Sequence, residues 1–172
     1  EERYRDREVE QEMIGKLPNE LRSQLLRMVY EKFVNELLLE RYFSAGLVEK
    51  VVESIYEYRC SNNEVIFEHG STFNLKAYFL LKGKITFYYG TCTIIDKLEY
   101  GAFGLCEFYK QTPRLLSARS NIDSLLYCLD WDKFDELIRE DVTDNETLRF
   151  IIDSMREGRE ADMLGMLCFI CQ

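Results

Sequence analysis

Apolar residues change their spacing twice along this chain. Leu21, Leu25, Leu26, Met28, Val29, Phe33, Val34, Leu37 and Leu38 recur every three or four positions, the period of one helix face. This stretch predicts either one long helix or two joined near Met28 to Tyr30, ended by Ser44-Ala45-Gly46. Ahead of it, Glu1 to Gly15 reads as a charged helix with a sparse apolar face of Tyr4, Val9 and Met13, broken by Lys16-Leu17-Pro18. Pro18 suits a first helical position, where its missing N–H costs little. Leu47, Val48, Val51, Val52 and Ile55 predict another helix over Leu47 to Tyr56.

From Tyr58 the period falls to two. Arg59-Cys60-Ser61, Glu64 to Phe67, Ala77 to Gly83, Lys84 to Tyr89, Cys92 to Ile95, Lys97-Leu98, Leu116 to Ala118 and Ser124 to Leu129 read as seven or eight short strands. Asn62-Asn63, His69-Gly70 and Gly83 supply turns between them. Strands this short and this closely spaced predict an antiparallel β-roll or sandwich. The period then returns to helix. Asp130 or Asp132 is placed to cap a helix running to about Arg139, and Thr143 with Glu146 forms a capping box for one running to roughly Gly165. The expected fold is α+β: a jelly-roll-like β-roll flanked by N-terminal linker helices and C-terminal helices.

Composition narrows the function. The chain has 172 residues, 47% hydrophobic and 31% charged, with a net charge of −9. That length holds one compact domain and an appendage. The acidic balance argues against nucleic acid as a partner, because a duplex binder needs a cationic footprint. No apolar run is long enough to span a membrane. A chain opening on Glu-Glu-Arg without an initiator Met is expected to be a piece of a longer protein. Cys60, Cys92, Cys106 and Cys128 lie in apolar surroundings and read as reduced core residues of a cytosolic protein. Cys168 and Cys171 have metal-hairpin spacing; they are either helix-end cysteines or half of a zinc site completed outside this chain. No metal site is expected within it.

Catalytic chemistry finds no support. His69 is the single histidine, which argues against a metal-dependent double-stranded β-helix enzyme, since that needs a histidine cluster. Ser117 and Ser120 have no histidine beside them, and no nucleophile motif is present. Asp123, Asp130, Asp132 and Asp135 read as turn and capping residues. The expectation is a protein that is not an enzyme.

One stretch does suggest a ligand. Phe103-Gly104 closes an apolar strand, Leu105 to Lys110 can form a short helix, Thr112-Pro113 is expected to end it, and Arg114 follows. Helix N-terminal amides and a facing guanidinium can hold an anion. Phe-Gly, a short apolar helix and Pro-Arg resemble the phosphate-binding cassette of cyclic-nucleotide-binding domains. Turn residues Asn63, Gly70, Gly83 and Gly101 fall near that family's turn positions. Lys16-Leu17-Pro18 with Leu21-Arg22 is similar to the linker joining channel pores to such domains.

The resemblance implies cAMP or cGMP as the ligand, held by Gly104, Leu105, Cys106, Glu107, Arg114 and Leu115. The family places a glutamate on the ribose where this chain has Leu105, and small residues where it has Leu115 and Leu116. A leucine leaves the ribose hydroxyl unpaired, costing about 1–3 kcal/mol. Arg114 is either a fork onto the cyclic phosphate or a structural arginine paired with an acid such as Glu107. Glu107 either repels or replaces the phosphate, or is a solvated helix residue.

The expected function is the cytoplasmic regulatory domain of an ion channel, on the cytoplasmic side of a membrane. Residues 1–43 would be the linker and 44–172 the nucleotide-binding-like domain with its closing helices. Its pocket would bind nucleotide weakly or not at all. Its partners would be a transmembrane pore domain and three further copies, as a homotetramer through the linker helices. The alternative is a soluble cAMP- or cGMP-responsive regulatory or scaffold protein of the kinase-regulatory-subunit type.

Overall fold

The computed structural model describes residues 16–73, 75–90 and 93–159. The expected first helix and the Cys168/Cys171 pair lie outside the described residues, as does Cys92. The elements run α1 (Asn19–Glu36), α2 (Leu39–Tyr42), α3 (Ala45–Ser54), β1 (Tyr56–Cys60), β2 (Val65–Phe67), β3 (Lys76–Lys82), β4 (Ile85–Tyr89), β5 (Thr93–Leu98), β6 (Gly101–Phe103), α4 (Leu105–Lys110), β7 (Ser117–Ser120), β8 (Ser124–Asp130), α5 (Trp131–Ile138) and α6 (Val142–Arg156). The α+β roll predicted from the strand spacing is what forms.

Two four-stranded antiparallel sheets build the roll, in orders β1-β8-β3-β6 and β2-β7-β4-β5. The first sheet is buried on both faces, and the alternation of side chains along a strand sorts its residues between two cores. Ala77, Phe79, Tyr127 and Leu129 point to a core shared with Phe33 and Val34 of α1, Leu37 at its C-cap, Val48 and Val51 of α3, and Phe134, Ile151 and Met155 of α5 and α6. Their strand neighbours Tyr78, Leu80, Leu126 and Cys128 point inside the roll, against Ile85, Phe87, Phe103 and Ala118. One helical core therefore joins α1 to the closing helices across the outer face of the roll.

Several element boundaries differ from the sequence expectation, each for a local reason. The long amphipathic helix is a single element to Glu36. It breaks at Leu38, whose φ of 58° is left-handed, and one turn of helix follows. Pro18 occupies the N-cap position, not the first helical one. Ser44 starts a helix instead of ending one: its hydroxyl accepts from the amide of Leu47. α3 stops at Ser54, and Tyr56 belongs to β1. Asp141, not Thr143, caps α6, accepting from the amides of Thr143 and Asp144. That helix ends far short of Gly165. Gly158 takes φ +83°, its N–H bonds to Met155 O, and Arg159 N–H bonds to Ser154 O. This pair of backward bonds around a left-handed glycine is a Schellman stop.

Candidate functional site

α4 and Arg114 are placed by the backbone around them. Gly104 caps α4 in a left-handed conformation, φ 72°. The helix ends at Gln111, which is itself left-handed at φ 53°, two residues before Pro113. The chain then passes beside the turn after β2, where Arg114 N donates to Ser71 O (3.0 Å) and Gly70 N donates to Arg114 O (2.8 Å). These two bonds fix the backbone of the arginine and aim its side chain into the mouth of the roll.

There Arg114 is 2% exposed. Its Nη1 donates to Gly104 O at 2.9 Å and its Nη2 to Lys76 O at 2.5 Å. The guanidinium lies over the Phe67 ring at 4.4 Å and within 5.7 Å of Tyr78. Glu107 comes within 3.6 Å of Nη1, with 15% of its side chain exposed, and also accepts from the amide of Leu115 at 3.3 Å. Burial pulls the pKa of Arg114 below its ordinary value, and Glu107 partly offsets this. The cation is therefore held by two carbonyls, a carboxylate and an aromatic face.

Of the six residues expected to hold a ligand, Gly104, Glu107, Arg114 and Leu115 come together. Leu105 turns the other way: it is 1% exposed and belongs to the helical core. Cys106 is half-buried and packs against that same core. Leu115 is 52% exposed, whereas Leu116 packs against the roll interior. The space between the sheets near Arg114 holds protein rings. Tyr78 and Phe103 stack at 5.0 Å, and Phe67 and Phe87 lie 6.2 and 5.6 Å from Phe103.

Gly104 is required by this arrangement. A Cβ there would stand 2.5 Å from Arg114 Nη1. His69 is exposed, its ring meeting Tyr89 edge-on at 5.5 Å. Among the described residues no group of three or more potential metal ligands occurs, and no helix is long and apolar enough to cross a membrane.

Three contacts that the sequence did not signal tie the elements of the domain together. Tyr109 of α4 donates to Leu37 O at the end of α1 (2.5 Å). Asp144 of α6 takes both the amide and hydroxyl of Ser44 (2.8 and 2.6 Å). Lys76, whose carbonyl meets Arg114, sends its ammonium to Tyr56 Oη (2.6 Å) and Asp130 (2.9 Å). Burial disfavours that ammonium, but the two bonds outweigh it and raise its pKa. Asp130 stands at the N-cap of α5 as expected, but its carboxylate meets Lys76 and Tyr56 and makes no side-chain bond to the helix amides.

Residues 58–141 match the family model described as the cyclic nucleotide-binding domain. The strand-built part of this chain is similar to a cyclic nucleotide-binding domain. No curated protein matches the chain. Cyclic nucleotide-binding domains are regulatory, non-catalytic modules, and the matched span runs from β1 to the end of the turn before α6. It includes the whole Gly104–Arg114 unit, while α1 to α3 and α6 lie outside it.

Proposed function

We propose that this chain is a cyclic-nucleotide-responsive type of regulatory module whose anion site is engaged by its own groups, and that it serves as the cytoplasmic regulatory domain of an ion channel. The observation that carries the self-engaged site is Glu107. Its carboxylate takes one guanidinium nitrogen and one backbone N–H, the donor pair a cyclic phosphate would take. A second anion entering there meets like charge and has to displace it. Leu105 supplies no ribose acceptor, and Tyr78, Phe67 and Phe103 fill the adjoining space.

The channel reading rests on the segment before the roll. Lys16-Leu17-Pro18 leads into α1, whose Leu21, Leu25, Met28 and Val29 are exposed at helical spacing. A ring of four linker helices under a pore would cover such a stripe. Residues 1–43 are the proposed linker and 44–172 the proposed regulatory domain. α4 packs against α6, so displacement of the cassette would shift the closing helix, and α1 would carry the movement onward. Sedimentation equilibrium of the 172-residue chain tests the assembly. A tetramer supports the channel linker; a monomer at micromolar concentration favours the soluble kinase-regulatory or scaffold alternative. Calorimetric titration with cAMP and cGMP tests the site itself: no heat is expected from the wild type.

A further inference from the structure

The joint between α3 and α6 carries a chemical handle of its own. Asp144 sits in the first turn of α6 and is 3% exposed. Both its oxygens are committed to Ser44, one to the amide at 2.8 Å and one to the hydroxyl at 2.6 Å. The same hydroxyl accepts from Leu47 N at 3.2 Å and so caps α3. Ser44 thus holds two helices that are 100 residues apart in sequence. Yet Ser44 itself is exposed.

We propose that Ser44 is a phosphorylation site and that its modification releases α6 from α3. Phe43 and Ser44 are extended (φ/ψ −110°/163° and −65°/149°), the form in which a chain threads a kinase cleft. Arg41 stands three residues before Ser44. Kinases read their substrates by charge pattern, and a guanidinium at that offset suits a Ser/Thr kinase of the basophilic class. In the transfer, Ser44 Oγ attacks the γ-phosphorus of a nucleoside triphosphate. The bond from that phosphorus to the β–γ bridging oxygen breaks, nucleoside diphosphate leaves, and the hydroxyl proton passes to the kinase's carboxylate base.

The product acts oppositely on the two helices. At the start of α3 a phosphate dianion faces helix N–H groups and strengthens the cap. Against Asp144 it replaces a donor with a like charge inside hydrogen-bond distance. A buried carboxylate stripped of its partners is strongly unfavourable, and it is relieved when the first turn of α6 swings into water. This control acts on the closing helix without any ligand in the roll.

The test treats the 172-residue chain with a purified basophilic Ser/Thr kinase and ATP, followed by peptide mapping and hydrogen exchange. The expected result is phosphate on Ser44, none on that peptide in Ser44→Ala, and amide exchange over residues 142–156 at least about tenfold faster. In Asp144→Asn, which lacks the repelling charge, phosphorylation should change that exchange much less. The proposal is overturned if neither the chain nor a peptide of residues 38–50 is labelled at Ser44. Label on the peptide but not the folded chain also overturns it, as does label without faster exchange, or equal acceleration in Asp144→Asn.

Discussion

The phenol of Tyr109 donates to the carbonyl of Leu37 at 2.5 Å, and both residues are fully buried. Leu37 is the C-cap of α1, where helical carbonyls lose their intrahelical donors. Leu38 then turns left-handed and leads the chain away. Tyr109 therefore supplies from the cassette helix a donor that α1 cannot supply itself. Tyr109→Phe keeps the ring and strands a buried acceptor, so it should cost about 1–3 kcal/mol. Urea unfolding monitored by Trp131 fluorescence reads this directly. An unchanged midpoint would mean that the bond contributes nothing.

Gly104 and Arg114 should be coupled energetically. Gly104→Ala places a methyl 2.5 Å from Nη1 at a positive φ, and about 1–3 kcal/mol of strain is expected from the backbone alone. The clash adds to it. In an Arg114→Ala background only the backbone part should remain, so a double-mutant cycle should show a non-additive term. Strict additivity would place the guanidinium away from Gly104.

Glu64 gives an acid-side prediction. Tyr58 donates to its carboxylate (2.5 Å), as does the amide of Ser61 (2.8 Å). The Tyr58 bond first and the Ser61 bond second lower its pKa. A lowered folded-state pKa stabilises the fold above the unfolded value. That contribution disappears as pH falls through the folded one. Stability should therefore decline below about pH 4.5, and Glu64→Gln should flatten part of that decline. Thermal unfolding between pH 3 and 7 checks it.

Burial pushes the Cys60 thiol up to about 12 and raises Cys128 in the same direction. Both should resist iodoacetamide at pH 8 in the folded protein and react in urea. Native-state labelling at the unfolded rate would show that the roll opens readily.

The strand region was legible because burial follows the two-residue period: Tyr78 and Leu80 face one core, Ala77 and Phe79 the other. The Gly104-to-Arg114 unit was legible because its glycine, helix and arginine are close in sequence. Helix ends were harder. Ser44 reads equally as a stop or a cap. Thr143 with Glu146 imitates a capping box while Asp141 does the capping. Gly158 is hidden inside a charged run, although a glycine there is the usual helix stop. Tyr109–Leu37 and Ser44–Asp144 span 72 and 100 residues and leave no local pattern. Leu105 could be read as a lost ribose ligand, but its place in the helical core depends on α1 and α6, which the cassette alone does not reveal.

Glu107 on Arg114 is the centre of this account, and calorimetry with cAMP and cGMP on the wild type, Glu107→Gln and Glu107→Gln/Arg114→Ala addresses it most directly. The expected result is no measurable binding to the wild type, binding gained by at least about tenfold in Glu107→Gln, and loss of that gain in the double variant. Micromolar binding to the wild type that is unchanged in Glu107→Gln would contradict it.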